Sequence, residues 1–171
     1  RDFPVEQYWR DNRLNMIHEG THGIQALDLL GRKVVMNNGA GFALLAEKIN
    51  ATIERALAVP ALAEYANALA GALKSLGHAT RAAWATGNPD EALANATPYL
   101  QAFGHTVVAW MWLDVALCAQ AKARQADSDA LHGTLAAARY FFRYELPRIG
   151  AWLGVVETRD DTCRTMQESW F

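Results

Sequence analysis

The sequence predicts an all-α protein, an antiparallel up-and-down helical bundle. Apolar residues return at spacings of three and four nearly everywhere, with almost no alternation of the strand kind. Alanine dominates the chain beyond residue 40, a composition that favours helix and close helix approach. Proline, glycine and Asn/Asp clusters are confined to a few joins. At 171 residues the chain can bury one sizeable core, which predicts one compact domain or one domain plus a short attached segment.

The first helix is expected over residues 4–17, with Pro4 in the first turn where its missing amide proton costs nothing. Gly20 and Gly23 mark a turn. A second helix starts at Thr21 or His22, carries Ile24, Leu27 and Leu30 inward, and stops at Gly31 as a C′ residue. Asn37-Asn38-Gly39-Ala40-Gly41 reads as a loop, and the organisational boundary is placed there, dividing 1–36 from 37–171.

Four longer helices follow at 40–58, 61–86, 89–125 and 128–157. Pro60 and Gly87-Asn88-Pro89-Asp90 punctuate the first two joins, and Gln125-Ala126-Asp127-Ser128-Asp129 supplies N-cap oxygens at the third. In the third long helix Ala96, Tyr99, Phe103, Val107, Trp110, Leu113 and Leu117 form an apolar stripe. In the fourth, Leu131, Leu135, Ala138, Phe142, Leu146, Ile149 and Leu153 do the same. Such stripes are core rather than a cofactor box. Pro98 and Pro147 are expected to kink their helices or to sit near ends. Trp170-Phe171 reads as an anchor against the bundle or a partner subunit, and Trp84 as a second contact candidate or a core-finishing residue.

Composition removes several function classes. The net charge is −2 and no basic cluster appears, which argues against nucleic acid as a partner. Cys118 and Cys163 lack CxxC spacing and read as ordinary thiols of a reducing compartment. His105 and Asp114 interrupt the most apolar stretch, so no membrane span is expected, and cytoplasmic localisation is the default. The chain opens on Arg1 without an initiator Met and reads as a piece of something longer.

His18-Glu19-Gly20-Thr21-His22 carries the chemistry, and two readings compete for it. As H-E-x-x-H it would place two histidines one helical turn apart on zinc, with the glutamate polarising the metal-bound water. That needs an unbroken helix, which Gly20 and Gly23 disfavour, and a third ligand, which Asp28 or Glu47 could supply in principle. Gln25 and Asp28 occupy the places of the Gly and last His of the longer zincin pattern.

The flanks favour the other reading. Tyr8-Trp9-Arg10-Asp11-Asn12-Arg13, then Ile17-His18-Glu19-Gly20-Thr21, then Gly23-Ile24-Gln25-Ala26-Leu27-Asp28-Leu29-Leu30-Gly31-Arg32-Lys33 resemble the last catalytic stretch of acyl-CoA dehydrogenases. The branch resembled is the one with an added C-terminal helical domain, as in enzymes acting on methylthiopropanoyl-CoA. The resemblance implies a C-terminal fragment of a larger flavoenzyme of fatty acid metabolism. Residues 1–36 would end the catalytic helical domain and 37–171 would be the extension.

It also implies site roles. Glu19 would be the base that takes the α-proton of an acyl-CoA, giving a trans-2-enoyl-CoA. His18 and Gly20 would contact substrate, and Thr21 and Gly23 the FAD cofactor. His18 stands where the family commonly has tyrosine, and Gly23 where many members carry a polar side chain that reaches FAD. An electron-transfer acceptor and a homo-oligomer are implied for the parent, and the chain alone is expected to hold FAD weakly and to be inactive. The alternative is a helical interaction or oligomerisation module without catalysis of its own.

Overall fold

The computed structural model describes residues 5–17, 21–126 and 128–171, apart from the side chains of Met16 and Ile17. Pro4, His18, Glu19, Gly20 and Asp127 therefore lie outside the described residues. Those described are helical without a strand, as the periodicity predicts. Nine α-helices are labelled among them: α1 Val5–Asn12, α2 Leu14–Ile17, α3 His22–Asp28, α4 Met36–Leu57, α5 Ala63–Ala83, α6 Pro89–Leu93, α7 Ala96–Ala123, α8 Asp129–Tyr140 and α9 Ile149–Glu157.

Helix α7 is the centre, packing against α3, α4, α5, α8 and α9. Side-chain pairs give the directions. Thr52 meets Trp110 and Arg55 meets Asp114, so α4 and α7 advance together. Tyr65 stacks on Phe142 at 4.8 Å while Arg159 reaches the Ala82 carbonyl, so α5 runs parallel to α8 and α9. Asn95 bonds Asp160 and His105 meets Glu145, so α7 opposes α8 and α9. Chain direction thus alternates down the sequence, while α4 and α9 each pack on both members of the α5–α7 pair.

One predicted helix becomes two wherever a proline intervenes. The expected 89–125 helix restarts at Ala96, because Pro98 has no amide proton for the Ala94 carbonyl and its ring crowds that residue. Asn95 at the break turns its side chain to the Asp160 carbonyl, 2.8 Å away. The expected 128–157 helix widens into a π-turn over Phe141–Glu145 and tightens into a 3₁₀ turn over Leu146–Arg148 around Pro147. The expected 4–17 helix breaks at Arg13, whose amide bonds Arg10 in a tighter turn.

The joins are as their residues predict. Pro60–Leu62 forms a 3₁₀ turn ahead of α5, Asn88 caps α6 and Ser128 caps α8. Gly87 sits at φ 69. Asn37, Asn38 and Gly39 hold left-handed φ of 51, 55 and 79, and the regular part of α4 begins after them.

Two stripe expectations shift. In α7 the buried line is Ala96, Tyr99, Ala102, Thr106, Ala109, Leu113, Ala116 and Ala119. Phe103, Trp110 and Leu117 flank it at half burial. Small residues line the contact because α7 is surrounded, and only alanine lets several helices approach one axis. Of the stripe expected from Leu131 to Leu153, Ala138, Phe142, Leu146, Ile149 and Leu153 are buried, while Leu131 and Leu135 are only half-buried. At the C-terminus, Trp170 is 64% and Phe171 92% exposed, so they do not anchor on this bundle.

Candidate functional site

Thr21 is the first described residue after the gap, and its ψ of 170 is extended. Helix α3 begins at His22, and Thr21 before it is not helical. The helical spacing that a two-histidine zinc site needs is broken at Thr21. Asp28, one of the possible third ligands, is taken by Arg32 at 2.5 Å with Lys33 at 4.0 Å. Arg32's hydrogen bond holds the Asp28 carboxyl below the usual carboxylate range, and the same bond raises the Arg32 guanidinium. Among the described residues no three His, Cys, Asp or Glu side chains come within joint reach of a metal.

Helix α3 is fixed by its inner side. Ala26 and Leu30 are fully buried in the common core. Ile24 and Leu27, expected to face inward, are instead 59% and 43% exposed. The helix packs on α7, and the turn that follows it packs on α6 and α7, so one small and one large residue suffice to seat it. It does not stop at Gly31. It widens into a π-turn over Leu29–Lys33, closed by the Val34 amide on the Leu29 carbonyl at 3.0 Å. Gly31 serves close approach instead, since a Cβ there would stand 3.3 Å from Leu93 Cδ2.

Trp84 locks this turn, its indole N–H donating to the Leu30 carbonyl at 3.2 Å. It packs against the core, as a core-finishing residue does. The start of α3 consequently sits on a rigid base while its outer side is open.

Of the sequence-predicted site residues, the structure places Thr21 and Gly23 together at that open end, both exposed. His18, Glu19 and Gly20 lie outside the described residues. Thr21 does not use its hydroxyl to cap α3, although the Gln25 amide bonds its carbonyl at 3.1 Å. A Cβ on Gly23 would meet nothing within 4 Å. Among the described residues the Thr21 hydroxyl has no hydrogen-bond partner, and a helix start of this kind can present its free amides to an anion.

Sequence reasoning missed the surface beside α3. Leu27, Leu93, Ala94, Cys163 and Arg164 line an open cleft of about 430 Å³ there. The signal lay in the apolar residues of α3 that exceed what its inner side needs. Cys118 and Cys163 are both free and exposed.

Comparison with known proteins shows the family. The family described as acetyl-CoA dehydrogenase C-terminal like matches residues 45–167, and the chain belongs to that family. A broad-specificity linear acyl-CoA dehydrogenase of Mycobacterium tuberculosis, FadE5, is 27% identical over 189 residues, covering 100% of this chain and 30% of that protein. A 3-methylmercaptopropionyl-CoA dehydrogenase of Ruegeria pomeroyi is 35% identical over 159 residues, covering 86% of this chain and 26% of that protein. The chain thus spans less than a third of the length of either relative.

Proposed function

We propose that this chain is the C-terminal part of a longer, FAD-dependent acyl-CoA dehydrogenase, in which residues 1–36 end the catalytic helical domain and 37–171 form a helical extension. The observation that supports it most is the helix break at Thr21 leading into a rigidly seated, outwardly open α3, in a chain of this family. The relatives are named for oxidation of linear acyl-CoA and 3-methylmercaptopropionyl-CoA. The substrate class carried over is an acyl-CoA thioester.

Glu19, two residues before Thr21 in the sequence, takes the α-proton of the thioester. A carboxylate does this well when burial against an apolar acyl chain raises its affinity for protons. The Glu19 backbone amide polarises the thioester carbonyl as the enolate charge develops. Gly20 lets the backbone approach substrate, and His18 shapes the same wall. The Thr21 hydroxyl and the first amides of α3 hold the cofactor's phosphates, with Gly23 leaving room beside them. FAD, when bound, supplies the acceptor for the β-hydride, so that a trans-2-enoyl-CoA results.

A cytoplasmic homo-oligomeric enzyme passing electrons to a separate acceptor completes the proposal, without nucleic acid or membrane as partners. Helix α7 is long and apolar enough to cross a membrane by length and composition, with mean hydropathy 1.4. Here it is the central packing helix. The test is acyl-CoA turnover in the flavoprotein that contains this chain. Glu19→Gln lowers turnover by roughly 10²–10⁴-fold with flavin absorbance retained; unchanged turnover overturns the assignment. The 171-residue chain alone is expected to show neither stoichiometric flavin nor activity. Stoichiometric zinc in it, lost with His18→Ala or His22→Ala, would establish the metallopeptidase reading instead.

A second reading, an interaction module, is favoured by exposed Trp170 and Phe171. It predicts concentration-dependent dimerisation by ultracentrifugation that Trp170→Ala abolishes.

A further inference from the structure

Between the start of α4 and the end of α5 lies a cleft of about 350 Å³ that the site above does not use. Its volume falls at the lower end of the range of small-molecule sites. Val34, Val35, Phe42 and Trp84 give it apolar and aromatic walls. Arg81 is the charged residue of its lining, and among the described residues the guanidinium makes no ion pair or hydrogen bond. Gly77 forms the floor: a Cβ there would stand 3.6 Å from both Arg81 Nη1 and Phe42 Cε1, so the guanidinium folds down beside the aromatic ring. Asn38 and Gly39 form the rim with left-handed backbone, and the Asn38 side-chain amide makes no hydrogen bond among the described residues.

The walls are fixed from behind. Trp84 is held by the Leu30 carbonyl, and the Thr80 hydroxyl is bound to both the Leu76 carbonyl and Tyr99 Oη, the latter at 2.7 Å. The cleft is therefore a shaped cavity with one uncommitted cation.

We propose that this cleft binds a small monocarboxylate with a flat apolar body, its carboxylate on Arg81 and its body between Phe42 and Trp84. The planar guanidinium matches a carboxylate in a two-pronged contact. A phosphate dianion would meet one positive charge and no second. A neutral apolar ligand would strip water from the guanidinium and give nothing back.

The test is an NMR titration of the chain with benzoate, with benzamide as the neutral control of the same shape. Saturable shifts are expected at the Gly39 and Gly77 amides and the Trp84 indole N–H. Arg81→Gln is expected to weaken benzoate binding about tenfold or more, and Arg81→Lys to restore part of it. Arg81 is exposed, so these variants are expected to keep the fold, which the dispersion of the same spectra verifies. Benzamide binding as tightly as benzoate, no saturable shift at the three reporters, or equal binding by Arg81→Gln would each overturn the proposal. None of these readouts depends on acyl-CoA chemistry, so this inference and the dehydrogenase reading can fail separately.

Discussion

Tyr99 shows how a single buried hydroxyl shapes the behaviour of this protein. It is fully buried, and desolvation pushes its phenol up from 10.0 to about 12, with the Thr80 hydrogen bond pulling the other way. The unfolded chain ionises Tyr99 first, so its contribution is whole below pH 10 and is lost as pH rises through about 12. The full loss amounts to roughly 3 kcal/mol at 1.36 kcal/mol per unit. Urea unfolding at pH 9 and pH 12 is expected to show this drop in the native chain and not in Tyr99→Phe. Equal drops in both would contradict it. Asp28 has the opposite sign: Arg32 depresses its carboxyl, so its contribution is present above the ordinary carboxylate range and lost as pH falls through the depressed value. Arg32→Gln is expected to move the Asp28 titration upward, as followed by NMR.

At the scale of the elements, α7 carries the packing through alanines. Ala109 is fully buried on its inner line. Ala109→Leu is expected to cost about 1–3 kcal/mol in chemical unfolding, because surrounding helices leave no room. Tolerance without loss would mean the helices around α7 are not closely packed. At the left-handed entry to α4, Gly39→Ala costs roughly 1 kcal/mol from backbone conformation, since its Cβ would meet the Val34 carbonyl at an ordinary 3.5 Å.

These elements also show what was legible in the sequence. Helix periodicity and the Gly87–Asp90 and Ser128 joins were visible because local residues determine them. The division of α7 from α6 was not, although Pro98 announced it, because a proline three residues into a helix and one inside it look alike in a period count. The inner line of α7 was misplaced onto Phe103 and Trp110 because size suggests burial, whereas a helix surrounded by neighbours buries its smallest residues. Gly31 looked like a stop, and only the nearness of Leu93 shows it to be a contact.

For the whole molecule, the bundle acts as the base on which α3 is mounted. Leu30 and Val34 enter the same core as Leu69, Leu113 and Leu153, so the segment bearing Thr21 and Gly23 is held by the fold and not by a loop. The site residues proposed from the sequence are a run of residue types, His18 to Gly23, while the setting of the described Thr21 and Gly23, the exposed start of a helix whose far end is held by Trp84, required distant parts of the chain to meet. The central claim is that Glu19 is the proton acceptor of an acyl-CoA dehydrogenase. The most direct measurement is exchange of the thioester's α-hydrogens with deuterated water in the full flavoprotein. The account predicts ready exchange that Glu19→Gln lowers by at least about a hundredfold. Exchange that persists undiminished in Glu19→Gln would show that another group takes the proton.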